Sequence, residues 1–167
     1  LNQQTTSINN SVTPDRPWPD LSYQVAGIVF PLVPVLIALY LLPLSGDRLR
    51  IGFDLQRPWF DLGRGFAAAA IIRIPGLAFY FAARAMGINT NIAAANLSAQ
   101  WWTIPALVGY AIMNGVLEEV VMLGFLFARF EQMKWTPWLA IGVSALIRGS
   151  YHLYQGFGGF IGNIVMG

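Results

Sequence analysis

The chain has no cysteine, which excludes disulfides, thiolate zinc sites, haem thiolates and a cysteine nucleophile. Charge is scarce too: Asp, Glu, Lys and Arg make up 11% of the 167 residues, where a soluble domain carries about a quarter. The net charge of +2 is small and scattered, with no Lys/Arg run, so no nucleic-acid partner is expected. Histidine occurs once, as His152. The amino-terminal residues lack the basic n-region of a signal peptide, and no internal repeat is evident.

What fills the chain instead is apolar: 56% hydrophobic residues and a mean hydropathy of +0.54. This composition predicts an all-α, polytopic transmembrane helical bundle in contact with membrane lipid. Four apolar spans stand out, at about 22–42, 65–86, 101–129 and 138–155, and the Gly-rich run 156–167 reads as the start of a fifth. Pro31 and Pro34 are expected to kink the first span. Residues 1–21, rich in Asn, Thr, Ser and Pro, read as a polar flexible tail, and 22–167 as one helical domain. Because the chain begins at Leu1 and stops inside an apolar run, a fragment of a longer protein is expected.

The tryptophans support the span assignment. Trp18, Trp59, Trp101, Trp102, Trp135 and Trp138 all fall at or just outside span ends, where indole rings collect at the headgroup interface. Arg48, Arg50, Arg57 and Arg64 between the first two spans, and Arg129 and Lys134 between the last two, put those connections in the cytoplasm and the tail outside.

Glu118 and Glu119 interrupt a stretch, 106–127, that has no other charge. Adjacent carboxylates at bilayer depth are costly and mark a functional site by default. Glu118 lies about 16 Å from the cytoplasmic end of its span, and Arg148 lies at the same depth on the next, counting 1.5 Å per residue. His152 follows one turn later. Ser144, Arg148 and His152 form a polar stripe at i, i+4 and i+8, with Tyr151 and Gln155 close to it, and Asn114 precedes Glu118 by one turn. Arg73 on the second span is a further charge at mid-membrane. A structural ion network is the plain reading of these groups. The functional one makes Glu118 or Glu119 a general base that activates water at an amide carbonyl. His152 would then stabilise the oxyanion, orient the water or ligate a metal. Gly158 and Gly162 form a small-xxx-small pair that lets a neighbouring helix approach closely.

From Glu118-Glu119 to His152 the chain resembles the CPBP family of intramembrane proteases, which includes the type II CAAX prenyl endopeptidases and the bacterial Abi proteins linked to bacteriocin immunity. The stretch from Arg57-Pro58-Trp59-Phe60-Asp61-Leu62-Gly63 to Arg148-Gly149-Ser150-Tyr151-His152 is similar to an actinobacterial-type branch. The resemblance implies that Glu118 and Glu119 are the first-motif acidic pair and His152 the second-motif histidine. Leu123 stands where the first motif has arginine, and Arg148 where the second has phenylalanine. An arginine moved to the facing helix would keep a positive charge beside the glutamates.

The third motif, on a later helix, is absent from this chain. The implied function is an intramembrane endopeptidase, multi-pass in a bacterial plasma membrane, cutting a peptide or membrane-protein substrate. Zinc or another divalent metal, held by Glu119 and His152, and a metal-independent glutamate mechanism are both open. The rival class is non-catalytic: an immunity factor, a proton or ion pathway, or an inactive fragment.

Overall fold

The computed structural model describes residues 3–44, 56–93 and 95–166. It is helical, with two short strands, and it separates into two compact units, each built from segments distant in sequence. Arg48 and Arg50, on which part of the expected orientation rests, lie outside the described residues.

One unit comprises 7–51 and 93–140. Its first span is α1 (Pro17–Val29), a 3-10 turn (Phe30–Leu32) and α2 (Val33–Leu44). The tight turn falls at Pro31, as expected of a residue with no N–H to give the helix ladder. The second span is continuous from Thr103 to Gln132: α4 (Thr103–Leu117), a π-helical segment (Glu118–Phe125) and α5 (Leu126–Gln132). The core lies between the two spans. Val35 and Ala38 of α2 pack with Val120, and Leu32, Leu39, Val116, Leu117, Val121 and Phe125 close around them. After α5 the chain reverses through Lys134, at φ 57. Trp135 stacks on Phe130 at 4.5 Å just beyond the end of α5. Pro137 then opens α6 (Pro137–Tyr151), a position where a missing N–H costs nothing.

One end of this unit is held by a polar cluster. Asp20 is 0% exposed and Gln24 is 1% exposed. The Asp20 carboxylate accepts from Ser11 Oγ at 2.8 Å, Val12 N at 2.7 Å and Thr13 N at 3.1 Å, which binds the segment before α1 to its first turn. Ser11 also reaches the loop before α4, where its Oγ accepts from Ser98 N at 2.8 Å.

The other unit comprises 1–6, 52–92 and 141–167. Its long helix is α3 (Pro58–Ala85), followed by Gly87 at φ +75, a left-handed stop suited to glycine. The shorter α7 (Phe157–Met166) packs on α3 through its small residues. A Cβ on Gly158 would meet the Ala83 methyl at 2.7 Å, and one on Gly162 would meet Phe79 at 3.2 Å. In a membrane, where apolar burial does not drive helices together, such close backbone approach does. Strands β1 (Thr5–Ser7) and β2 (Asn91–Ala93) pair across the start of the chain and the loop after α3.

Three helical stretches are long and apolar enough to cross a membrane: Pro17–Leu44, Pro58–Ala85 and Thr103–Gln132. They expose large side chains such as Phe66, Ile71, Ile74, Ile104 and Ile112, as lipid-facing helices do. The chain is therefore an all-α integral membrane protein. The fourth expected span is corrected. Helix α6 ends at Tyr151 after 15 residues, a reach of about 22 Å against a hydrocarbon core of about 30 Å. Arg148, Gly149 and Ser150 thin its apolar character, and the 3-10 turn Leu153–Gln155 with Gly156 at φ +101 ends it.

Candidate active site

The acidic pair opens the π-helical segment. Up to Glu118 the ladder is α-helical, with the Glu118 N–H shared between the carbonyls of Asn114 and Gly115. At the far end Leu126 N–H donates to the Val121 carbonyl, five residues back. Such i→i+5 geometry occupies well under 1% of residues in globular proteins and is frequent at functional sites. Here it runs for eight residues and contains both glutamates. Glu118 is half-buried and Glu119 exposed, whereas Val120 faces the core. The two carboxylates therefore leave the helix in different directions. No sequence signal announces the π segment, because its residue types are ordinary for an α-helix.

His152 is the first residue beyond α6, at φ −99 and ψ 4, and not on the helix as the stripe implied. Its N–H donates to the Gly149 carbonyl at 3.0 Å, tightening the last turn. The ring nitrogen Nδ1 lies 3.0 Å from the Arg148 carbonyl oxygen. A carbonyl only accepts, so in the neutral ring Nδ1 carries the hydrogen and Nε2 is left with its lone pair. Tyr151 and Tyr154 flank the imidazole at centroid distances of 4.6 and 6.2 Å. Arg148 is half-buried on α6, Ser144 is buried one turn earlier, and Arg73 is exposed on α3.

The sequence-derived groups fall in both units: Asn114, Glu118 and Glu119 in one, Arg73, Ser144, Arg148 and His152 in the other. Among the described residues, no group of three or more His, Cys, Asp or Glu side chains is arranged to hold a metal ion. Glu119 and His152, raised as ligands of zinc or another divalent metal, lie in different units.

Sequence reasoning missed two residues of the loop after α3. Asn89 is 2% exposed and Thr90 5% exposed, and both bond to the segment around His152. The only signal in the sequence was Gly87, which marks the end of a helix and the start of that loop.

Helices of membrane-crossing length, with an acidic pair set in one of them, define an integral membrane protein with a candidate intramembrane site. Residues 100–167, about two fifths of the chain, match the family model described as Type II CAAX prenyl endopeptidase Rce1-like. The match is consistent with the CPBP resemblance and, at the level of the family, carries endopeptidase activity on a peptide or membrane-protein substrate. It spans Glu118, Glu119, Arg148 and His152. No curated protein and no solved structure matches the chain.

Proposed function

We propose that this chain is the core of an intramembrane endopeptidase of the CPBP type, working in a bacterial plasma membrane on a membrane-proximal peptide bond. The observation that carries the proposal is the π-helical segment that begins on Glu118-Glu119 at mid-span, inside the region matching the endopeptidase family. One glutamate of the pair takes a proton from water as the water oxygen bonds to the amide carbonyl carbon. By its resemblance to the second-motif histidine, His152 is assigned the orienting of the water, which an Nε2 lone pair can do by accepting a hydrogen bond. The carbon–nitrogen bond then breaks, and the proton held by the glutamate passes to the leaving amine. Arg148, which stands where the second motif of the resembled family has phenylalanine, is the proposed source of positive charge for the reaction.

The test is hydrolysis of quenched fluorescent peptides, with and without a prenyl group, by the full chain in liposomes. Glu119→Gln or Glu118→Gln should lower the rate by about 10²–10⁴ with helicity unchanged. Two results would sink the proposal: cleavage retained in both variants, or proton movement across the liposomes with no cleavage.

A further inference from the structure

The turn that carries His152 is held from outside its own helix. Thr90 N donates to the Gln155 carbonyl at 3.0 Å, and Thr90 Oγ1 donates to the same oxygen at 3.2 Å. Thr6 Oγ1 lies 2.8 Å from Thr90 Oγ1 and completes the group. On the other side of Gly156, the buried Asn89 Oδ1 accepts from Gly159 N at 2.9 Å, and the Ile88 carbonyl accepts from Gly158 N at 3.1 Å. These bonds satisfy amides in the first turn of α7 that its own ladder leaves open. Gln155 N in turn donates to the His152 carbonyl at 3.0 Å. The segment from His152 to Gly159 is therefore bonded at its middle and far end to residues 88–90.

There is no slack in this packing. A Cβ on Gly156 would meet the Ile88 oxygen at 2.8 Å, one on Gly158 the Asn89 Oδ1 at 3.1 Å, and one on Gly159 the His152 oxygen at 3.1 Å. Gly156 also needs its φ of +101, which only glycine adopts readily.

We infer that Asn89 and Thr90 are the positioning residues of His152. They lock the 152–159 turn so that the imidazole keeps Nδ1–H on the Arg148 carbonyl and presents a bare Nε2. Both stand outside the matched segment 100–167, so the matched segment takes the geometry of its histidine from the loop after α3. The role given to Nε2 rests on the proposed hydrolysis; the fixed tautomer does not.

Because the chain has one histidine, ¹⁵N-histidine labelling of the full chain in lipid yields a single imidazole spin system. At alkaline pH the wild type should show one neutral tautomer, protonated on Nδ1. Asn89→Leu, which removes the acceptor, should replace that single signal by an exchanging mixture of tautomers. Asn89→Asp keeps the acceptor and should keep the signal. Thr90→Val retains the backbone donor but loses the hydroxyl; it should also broaden the signal, and it decides alone if Asn89→Leu does not fold.

A wild-type ring protonated on Nε2 overturns the inference, as does an unchanged spectrum in the folded variants. The spectra need no substrate, so the two claims fail separately. An Nδ1–H ring in a chain that cleaves nothing upholds the positioning and removes the hydrolysis. Cleavage by a chain whose ring is protonated on Nε2 does the reverse.

Discussion

Tyr110 Oη donates to Gln24 Oε1 at 2.9 Å, and its ring end fills the space over Gly27 where α1 meets α4. A Cβ on Gly27 would collide with the Tyr110 hydroxyl. Gly27→Ala should therefore cost about 1–3 kcal/mol, the usual penalty for overfilling a packed contact. Tyr110→Phe alone should cost about 1 kcal/mol for the lost bond. In the double variant the colliding oxygen is gone, so the combined loss should be smaller than the sum. Thermal unfolding of the four proteins in one detergent checks this; simple additivity would mean that the two residues do not meet.

Behind Gln24 stands Asp20, buried and facing only donors: Ser11 Oγ, Val12 N, Thr13 N and Gln24 Nε2. Asp20→Ala leaves these donors without an acceptor and should cost about 3 kcal/mol, with the Val12 and Thr13 amides exchanging faster with deuterium. Asp20→Asn keeps one oxygen but turns an amide group toward donors, so an intermediate loss is expected. Equal amide protection in the wild type and Asp20→Ala would show that the segment before α1 is held by something else.

The long spans were legible because composition and length decide them: a run of about 20 apolar residues has few alternatives in lipid. The proline turn at Pro31 and the glycine contacts of α7 followed from residue types alone. Three features did not. The end of α6 before His152 is followed by a turn to which Asn89 and Thr90 bond from the loop after α3, a tertiary contact that no local pattern encodes. The burial of Asp20 depends on the backbone amides of Val12 and Thr13 arriving from a segment with no apolar periodicity. The π segment depends on which carbonyl each N–H chooses, a difference of one residue that the side chains of Glu118–Phe125 do not announce. The glutamates themselves were visible as an interruption of an apolar run; their backbone setting was not.

The close contact of α7 with α3 makes Gly162 sensitive. Phe79 already stands 3.2 Å from where its Cβ would be, so Gly162→Val must push the two helices apart. Without close approach little holds an apolar pair together in lipid, and a loss of about 1–3 kcal/mol is expected for the overpacking. A pair of cysteines at Pro75 and Val165, which line the same α3–α7 groove as Gly162, gives the readout: crosslinking should fall in Gly162→Val and persist in Gly162→Ala, where a single methyl asks the Phe79 ring to yield a few tenths of an ångström. Unchanged crosslinking in Gly162→Val would mean that the helices meet elsewhere.

The π segment yields the sharpest prediction, because one residue separates it from an ordinary helix. Each turn of i→i+5 bonding holds one residue more than an α turn. Deleting Leu123, whose side chain is exposed and outside the core cluster, lets the carbonyls from Glu118 onward find donors four residues ahead. The span Thr103–Gln132 should remain helical, because losing the one extra residue turns the π segment into an ordinary α turn. A π turn that gives up its extra residue leaves the helix on either side close to its original phase, so the change is confined to the segment that carries the acidic pair and to the contact of Phe125 with Val35 and Ala38. Helicity by circular dichroism should hold, and stability should fall by about 1–3 kcal/mol for the disturbed core. Hydrolysis in liposomes should drop to the level of Glu119→Gln. The substitution Leu123→Ala removes the same side chain but keeps the residue count and should retain the rate. If the deletion keeps full hydrolysis, the π geometry has no part in the chemistry, and the acidic pair works from any helical setting.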